Sequence, residues 1–288
     1  MLRILLKNIQ SRIEKYLKIQ RLLLGASAPL IAFYLGACTP SAQKMEIEQG
    51  QAALKTKNYK AAIEHFEKVI QKDSKAELAL VAAQRIAEIS EMNTHDYQKA
   101  LSTYKFIIIN SSLDYERVEA QKKMANIYFN QLADYKQAIV EYSRLLQLPH
   151  SPKESWIYRM NLARAYYYQA NIFQALVEID TILKESRDEN LSFDGMLLKA
   201  NIFLGAKRLE EAVSVVKEII GKYPEKSKLE TVPLMLAICY EEQSNFSEAI
   251  STLQELRPDY PNKAFIDKRI KALRDRKSLL PGAHGLKK

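Results

Sequence analysis

The stretch Asn171-Ile-Phe-Gln-Ala175-Leu decides the fold, because five other stretches of the chain repeat its pattern in phase. Those five stretches are Asn58–Ile63, Asp96–Leu101, Asp134–Ile139, Arg208–Val213 and Asn245–Ile250. The alanines at their fifth position are separated by 38, 38, 37, 37 and 37 residues. Five of the six stretches open with Asn or Asp, the residue types that cap the start of a helix. The repeat therefore predicts a series of helices with a common starting signal.

Each repeated alanine begins an apolar helical face. Four residues after it come Phe66, Tyr104, Tyr142, Ile179, Val216 and Leu253, and seven residues after it come Val69, Ile107, Leu145, Ile182, Ile219 and Leu256. This spacing places all three positions on one side of a helix. A second helical segment lies upstream, most clearly in Met160–Tyr166, Met196–Phe203 and Leu234–Tyr240. Breakers such as Pro152, Pro224 and Pro261 separate the units. The unit is helix, turn, helix, breaker.

The unit resembles the tetratricopeptide repeat, whose first helix carries a small residue and, three positions later, an aromatic one. The matching pairs here are Ala163 and Tyr166, Ala200 and Phe203, and Ala237 and Tyr240. Two departures stand out. In the first unit Gly50 keeps the small position but Ala53 replaces the aromatic, and the second and third units need one extra residue between their helices.

The resemblance implies an all-α, right-handed solenoid of six helix-turn-helix repeats. We expect the repeats to occupy residues 44–261, a basic capping helix residues 262–278 and a flexible tail residues 279–288. A solenoid needs such a polar final helix, because each repeat buries its apolar face only on its neighbours.

The N-terminus reads as a targeting signal. Basic residues 1–21 precede an uncharged apolar run from Leu22 to Ala37, which is the order of a secretory signal. The run ends in Leu35-Gly-Ala-Cys38 and resembles the lipobox of bacterial lipoproteins, which implies a signal peptide at 1–37, a lipid on Cys38 and a tether at 38–43. Thr39 resembles the outer-membrane class of these proteins, so we expect a periplasm-facing lipoprotein of the outer membrane. The basic region is long for such a signal, and an uncleaved inner-membrane anchor is the alternative.

Charge and motifs exclude several functions. The formal net charge is +9, but residues 1–37 carry +5 of it, and +4 over the remainder is no nucleic-acid footprint. The four histidines are scattered, and no HExxH, CxxC, GxSxG or glycine-rich phosphate loop occurs. We therefore expect no enzymatic activity, no metal and no cofactor. Cys239 lies in an apolar helical segment, where a buried thiol is expected.

The resemblance also implies where a partner would bind, since the first helices of tetratricopeptide repeats line a groove. The positions that correspond to the ligand-facing ones are Lys122, Asn126, Phe129, Met160, Arg164, Tyr167, Leu197, Asn201, Leu204, Leu234, Ile238 and Glu241. This set is mixed and rather apolar, and it does not reproduce the lysine and asparagine clamp that holds acidic C-terminal tails.

Together these features predict a lipid-anchored scaffold that binds other envelope proteins or peptide segments. The parts resemble those of the BamD-type lipoproteins of outer-membrane protein assembly. A pilus-assembly pilotin, a cell-wall or divisome coordinator and a membrane-anchored periplasmic holding chaperone share the same parts. In the coordinator, the seven basic residues of Lys263–Lys277 would contact an anionic polymer.

Overall fold

The computed structural model describes residues 42–279. The signal peptide expected at 1–37, the lipid site expected at Cys38 and residues 280–288 of the tail expected at 279–288 lie outside that range. Within it the chain is helical and contains no strand. The helices are α1 Ala42–Lys55, α2 Tyr59–Lys72, α3 Glu77–Met92, α4 Tyr97–Asn110, α5 Asp114–Asn126, α6 Tyr135–Leu145, α7 Pro152–Tyr168, α8 Ile172–Glu185, α9 Glu189–Gly205, α10 Leu209–Lys222, α11 Pro224–Leu229, α12 Val232–Glu242, α13 Phe246–Leu256 and α14 Lys263–Ser278.

Most of these helices form pairs joined by short turns: α1/α2, α3/α4, α5/α6, α7/α8, α9/α10 and α12/α13. From Glu46 onward they belong to one compact unit, and Ala42–Met45 form the first turn of α1. Ala42 and Gln43, which the sequence analysis assigned to the tether at 38–43, are helical.

The repeated alanines are the closest packing points of the second helices. All six, from Ala62 to Ala249, are fully buried. The apolar residues four and seven positions later are buried as well, which confirms the helical face predicted from the spacing. A methyl group is the largest side chain that lets two helices approach closely at this point. The alanine that recurs most regularly in the sequence thus marks where each second helix is buried.

Polar caps start the second helices. Asn58, Asp96, Asp134 and Asn171 each accept a hydrogen bond from the backbone N–H three residues later, as predicted. Asn245 was expected to do the same for α13 and does not. Its side-chain amide instead donates to Gln243 Oε1 at 3.1 Å, within the turn.

A left-handed residue precedes every cap position. These residues are Lys57, His95, Ala133, Ala170, Lys207 and Ser244, with φ between 50° and 62°. In the first pair, the Lys57 N–H donates to Leu54 O and the Asn58 N–H to Ala53 O, both at 2.9 Å. This pattern is a Schellman motif, which ends a helix and reverses the chain in a fixed direction. The fourth, fifth and sixth pairs repeat it.

The second and third pairs accommodate their additional residue in different ways. In the third pair α5 continues into a π-helical turn, Ile127–Gln131, closed by a hydrogen bond of 3.0 Å from Leu132 N–H to Ile127 O. In the second pair the extra residue lies in the turn after Met92, where the Thr94 N–H donates to Ile89 O at 3.0 Å. The following caps keep their position, so the insertion does not disturb the second helices.

Among residues 42–279 the core is a row of six apolar clusters, each with buried residues from three neighbouring helices. The clusters join α1/α2/α3, α3/α4/α5, α5/α6/α7, α7/α8/α9, α9/α10/α12 and α12/α13/α14. Each pair thus shares its buried face with the next one, as in a solenoid. The last cluster is completed by Ile266, Ile270 and Leu273 of α14, which places the predicted capping helix at the end of the row.

Two prolines that the sequence suggested as breakers start helices instead. Pro152 opens α7 after the cap Ser151, and Pro224 opens the short helix α11, which the sequence did not predict. Proline suits the first helical position because its missing N–H would have no intrahelical partner there. Between residues 42 and 279 no helix combines the length and the apolarity that crossing a membrane requires.

Candidate partner-binding groove

The twelve predicted groove residues lie on α5, the π-helical turn, α7, α9 and α12, but they are not equally accessible. Asn126 and Asn201 are exposed, and most of the others are partly buried. Met160 is only 5% exposed, and its Cε lies 3.8 Å from where a Cβ on Gly195 would stand. Met160 is therefore packed in the core against α9, and its place in a partner-binding groove stays a prediction.

Two of the predicted charged residues already have partners within the fold. Lys122 Nζ lies 2.7 Å from Glu119 and 2.8 Å from Glu154, so it bridges α5 and α7. Glu241 pairs with Arg269, at 2.6 Å, and with Arg276, which attaches α12 to the capping helix. These side chains stabilise neighbouring helices, and a ligand would have to displace those ion pairs to use them.

Aromatic residues surround two other predicted positions. Phe129 packs edge-on against Tyr135, with centroids 5.5 Å apart, and Tyr135 stacks on the exposed Tyr168 at 4.6 Å. Tyr167 lies beside Tyr168 and points its hydroxyl at Gly205 of α9, where a Cβ would be only 2.1 Å away. The rings brace the turn end of the third and fourth pairs.

The remaining predicted residues divide between core edge and surface. Leu197, Leu204 and Leu234 pack against the apolar clusters of the fifth and sixth pairs. Arg164 donates to Asn161 Oδ1 at 3.2 Å on its own helix, and Ile238 is partly buried. On the first helices of the later pairs, most of the predicted groove residues therefore contact other side chains of the protein and leave little surface for a partner.

An open cavity lies instead between the second and third pairs, where α3, α4 and α5 meet. We call it the α3–α5 groove. Its walls are Gln84, Glu88 and Met92 of α3 and Tyr115, Glu116, Glu119, Ala120 and Lys123 of α5, and its floor is Tyr104 and Ile107 of α4. Met92 and Tyr115 are 60% and 64% exposed at its rim, unlike the buried floor. Large apolar groups thus face solvent beside a preformed depression.

Hydrogen bonds hold the groove in shape. Tyr104 donates its hydroxyl to Glu91 Oε2 at 2.5 Å, and Lys123 Nζ pairs with Glu91 Oε1 at 3.3 Å. Burial and the nearby Glu91 carboxylate raise the pKa of Tyr104 well above its usual range, so the hydroxyl remains a donor. Across the groove Gln84 Nε2 donates to Glu116 Oε1 at 3.2 Å. These links join all three helices.

The residues of this groove were missed by the sequence analysis, although a signal for two of them exists. Gln84 and Glu88 stand 38 residues before Lys122 and Asn126, so the predicted groove register extends to the second pair. Met92, Tyr115 and Glu116 carry no such periodic signal, because they meet only through the packing of α3 against α5.

The buried thiol of Cys239 agrees with its predicted role. It is fully buried and free, and burial raises its pKa to about 11. A thiol that stays protonated in an apolar cluster is a packing group, not a nucleophile. Among the described residues, His, Cys, Asp and Glu side chains form no group of three that is suited to hold a metal ion.

Comparison with known proteins agrees with the helical pairs. A tetratricopeptide-repeat family model matches residues 203–276. A tetratricopeptide repeat protein from Parabacteroides merdae superposes with a TM-score of 0.53 at 15% identity, over 82% of this chain and 88% of that one. PilW, a widely conserved type IV pilus biogenesis factor, gives 0.50 at 14% identity over 80% and 99%. The apo form of RapI gives 0.54 at 14% identity over 84% and 73%.

The fold is a tetratricopeptide-repeat fold. No curated protein matches the sequence. In tetratricopeptide-repeat terms, the α3–α5 groove lies between the first helices of two neighbouring helical pairs, and the floor residues come from the second helix between them.

Proposed function

We propose that the protein is a tetratricopeptide-repeat scaffold of six repeats that holds a segment of a partner protein in the cell envelope. The observation that carries this proposal is the α3–α5 groove, where Met92 and Tyr115 expose large apolar surfaces beside a cavity. Surface apolar groups gathered around a concavity are typical of binding sites, whereas isolated ones are common on any protein.

The proposal includes a membrane anchor. A lipid on Cys38, after removal of residues 1–37, would hold the scaffold on the periplasmic side of the outer membrane. Support comes from the sequence Leu35-Gly-Ala-Cys38 after an apolar run. Several acyl chains, at about 0.8 kcal/mol for each buried methylene, make such an attachment stable.

Anchoring is tested by labelling cells with a palmitate analogue and fractionating their membranes. We expect the label on the wild type and its loss in Cys38→Ser, which should also leave the outer-membrane fraction. An unlabelled wild type would contradict the lipid anchor and favour an uncleaved inner-membrane segment.

Outer-membrane protein assembly is the envelope process that we propose for the scaffold. Pilus assembly is the second candidate, favoured by the likeness of the fold to PilW over 99% of that chain. A row of helical pairs with separate surfaces can hold several partners at once, which suits a scaffold in either process.

Photo-cross-linking tests partner binding and separates the candidates. A cross-linking amino acid replaces Met92 at the groove, and Ile109, which is 69% exposed on α4 outside the groove, is the matched control. We expect a discrete cross-linked protein from position 92 and none from position 109. Barrel-assembly components would support the first process and a pilus secretin the second. A spectrum of unfolded clients from both positions would indicate a holding chaperone and contradict the scaffold.

A further inference from the structure

Glu116 differs from the other partly buried carboxylates of the protein. Among residues 42–279, it alone of the buried and partly buried glutamates and aspartates has no Lys, Arg or His partner. Its oxygens accept hydrogen bonds from the Ser111 hydroxyl at 2.5 Å, Gln84 Nε2 at 3.2 Å and the Tyr115 hydroxyl at 3.3 Å, all neutral groups. A partly desolvated carboxylate gains most from a cation, and this one has none within the fold.

The charges around Glu116 add to this negative potential. Glu88 and Glu119 also line the α3–α5 groove, and Lys123 is the one cation in its lining. Lys123 is held by Glu91, at 3.3 Å. Arg85 and Lys122 partly compensate Glu88 and Glu119 but lie outside the lining. The groove is therefore acidic, although the protein as a whole is basic.

The apolar part of the groove defines a second requirement of the ligand. Met92 has a flexible, polarizable side chain that adapts to different apolar partners. The Tyr115 hydroxyl lies 3.3 Å from Glu116 Oε1, so a cation paired with Glu116 lies beside the exposed Tyr115 side chain. A ligand that fits both parts carries a positive charge and a large apolar group a few ångströms apart.

We infer that the α3–α5 groove recognises a protein segment in which an arginine or lysine stands next to a large apolar side chain. The cation pairs with Glu116, and the apolar side chain covers Met92 and Tyr115. This inference rests on the proposed function, because it names the partner chemistry of the same groove. It also explains why acidic side chains line the groove, which the packing of the helices does not require.

Fluorescence polarization with the full chain in detergent tests the inference. The probes are three labelled peptides of eleven residues, Gly and Ser throughout except for a central Arg-Leu-Leu, citrulline-Leu-Leu or Arg-Ser-Ser. Citrulline keeps the shape of arginine and removes its charge. We expect the first peptide to bind roughly tenfold more tightly than either of the others, and this preference to shrink as salt is raised.

Two variants, each of which removes one negative charge, test whether the preference for arginine arises at Glu116. Glu116→Gln should abolish the preference for arginine over citrulline, whereas Glu248→Gln, on the exposed face of α13, should leave it intact. Binding of the citrulline peptide to Glu116→Gln with unchanged affinity shows that the groove is still folded. Met92→Ser should weaken both leucine-containing peptides equally.

Equal affinity for arginine and citrulline peptides in the wild type would overturn the inference without any variant. Absence of binding by all three peptides, or a preference that survives in Glu116→Gln, would overturn it too. In each case a discrete partner cross-linked at position 92 would leave the proposed function standing. If no protein cross-links at position 92 but the peptides still show the arginine preference, only the scaffold proposal is refuted.

Discussion

Gly50 shows how one missing side chain is compensated by another residue. It holds the small position of α1, and a Cβ there would lie 2.7 Å from Phe66 Cε1. Phe66 is fully buried, so its ring cannot move aside into solvent. The aromatic that the family pattern expects at Ala53 is absent from α1, and the Phe66 ring from α2 lies against Gly50 instead.

Gly50→Ala is therefore expected to destabilise the first pair, although alanine is the better helix former. The propensity gain is about 1 kcal/mol, while overpacking a core costs about 1–3 kcal/mol. Gly221→Ala is the matched control, since Gly221 is helical, exposed and has no atom within 4 Å of the added Cβ. In urea unfolding, the free energy of unfolding should fall for Gly50→Ala and rise for Gly221→Ala. A stabilised Gly50→Ala would mean that the Phe66 ring can move away from the added methyl group.

The same comparison shows what sequence can and cannot predict at this scale. Buried positions such as Ala62 and Ala175 follow from periodicity because close helix contact tolerates only a small side chain. The solvent accessibility of the predicted groove residues does not follow from periodicity, because it depends on which side chains of other helices pack against them. Met160 is covered by α9 and Glu241 is paired with Arg269, and neither contact has a periodic signature.

Among the helices, the start of α7 combines capping with a bridge to its neighbour. Ser151 and Glu154 form a reciprocal capping box, and Glu154 Oε1 also accepts from Lys122 Nζ of α5 at 2.8 Å. The hydrogen bond from Lys122, followed by those from Ser151, lowers the pKa of Glu154 to about 2. One carboxylate thus fixes both the first turn of α7 and its distance from α5.

This lowered pKa predicts how the stability depends on pH. A carboxylate with a folded pKa below its unfolded value stabilises the protein above about 4.5, and the contribution is lost as the pH falls through about 2. The melting temperature of Glu154→Gln should therefore lie below that of the wild type at pH 7, and the gap should close near pH 2. Glu189→Gln, at the exposed start of α9, should show a smaller gap. A Glu154 carboxyl that titrates near 4.5 by NMR would contradict the bridge.

The turns between paired helices share one backbone conformation although their residue types differ. Six different positions adopt the left-handed conformation, yet they are occupied by Lys, His, Ala and Ser and never by glycine. Periodicity of side chains therefore could not reveal them. In four of these turns a polar side chain caps the next helix, and in all six a buried alanine follows further along. These contacts hold the backbone from the other side, so the conformation survives without the residue that favours it most.

At the scale of the whole molecule, stability should be local, because the buried residues of each core cluster come from three neighbouring helices. Damage to one cluster is felt by its neighbours and fades beyond them. Ala175 offers a sharp test. It is fully buried in the cluster of α7, α8 and α9, where added volume must displace a backbone and a charge has no partner.

A control for this test has to be exposed and helical. Lys207 is exposed on a turn, which makes it a candidate by sequence, but its Nζ pairs with Glu242 at 2.6 Å and its φ is 59°. A glutamate there would repel Glu242. Ala272, exposed on α14, has neither complication and starts from the same residue type.

Ala175→Glu should therefore lower the melting temperature by at least about 2 °C. Overpacking alone costs about 1–3 kcal/mol, and each kcal/mol shifts the melting temperature of a large domain by about 2–4 °C. Ala272→Glu should change it little. Hydrogen exchange should then show lost protection in α7, α8 and α9, a smaller loss in α6 and α10, and none in α1 or α14. Uniform loss along the chain would mean that the six clusters unfold as one cooperative core, and a row of separable neighbours would no longer describe the molecule. Equal tolerance at positions 175 and 272 would show that the alanine period is not the packing period.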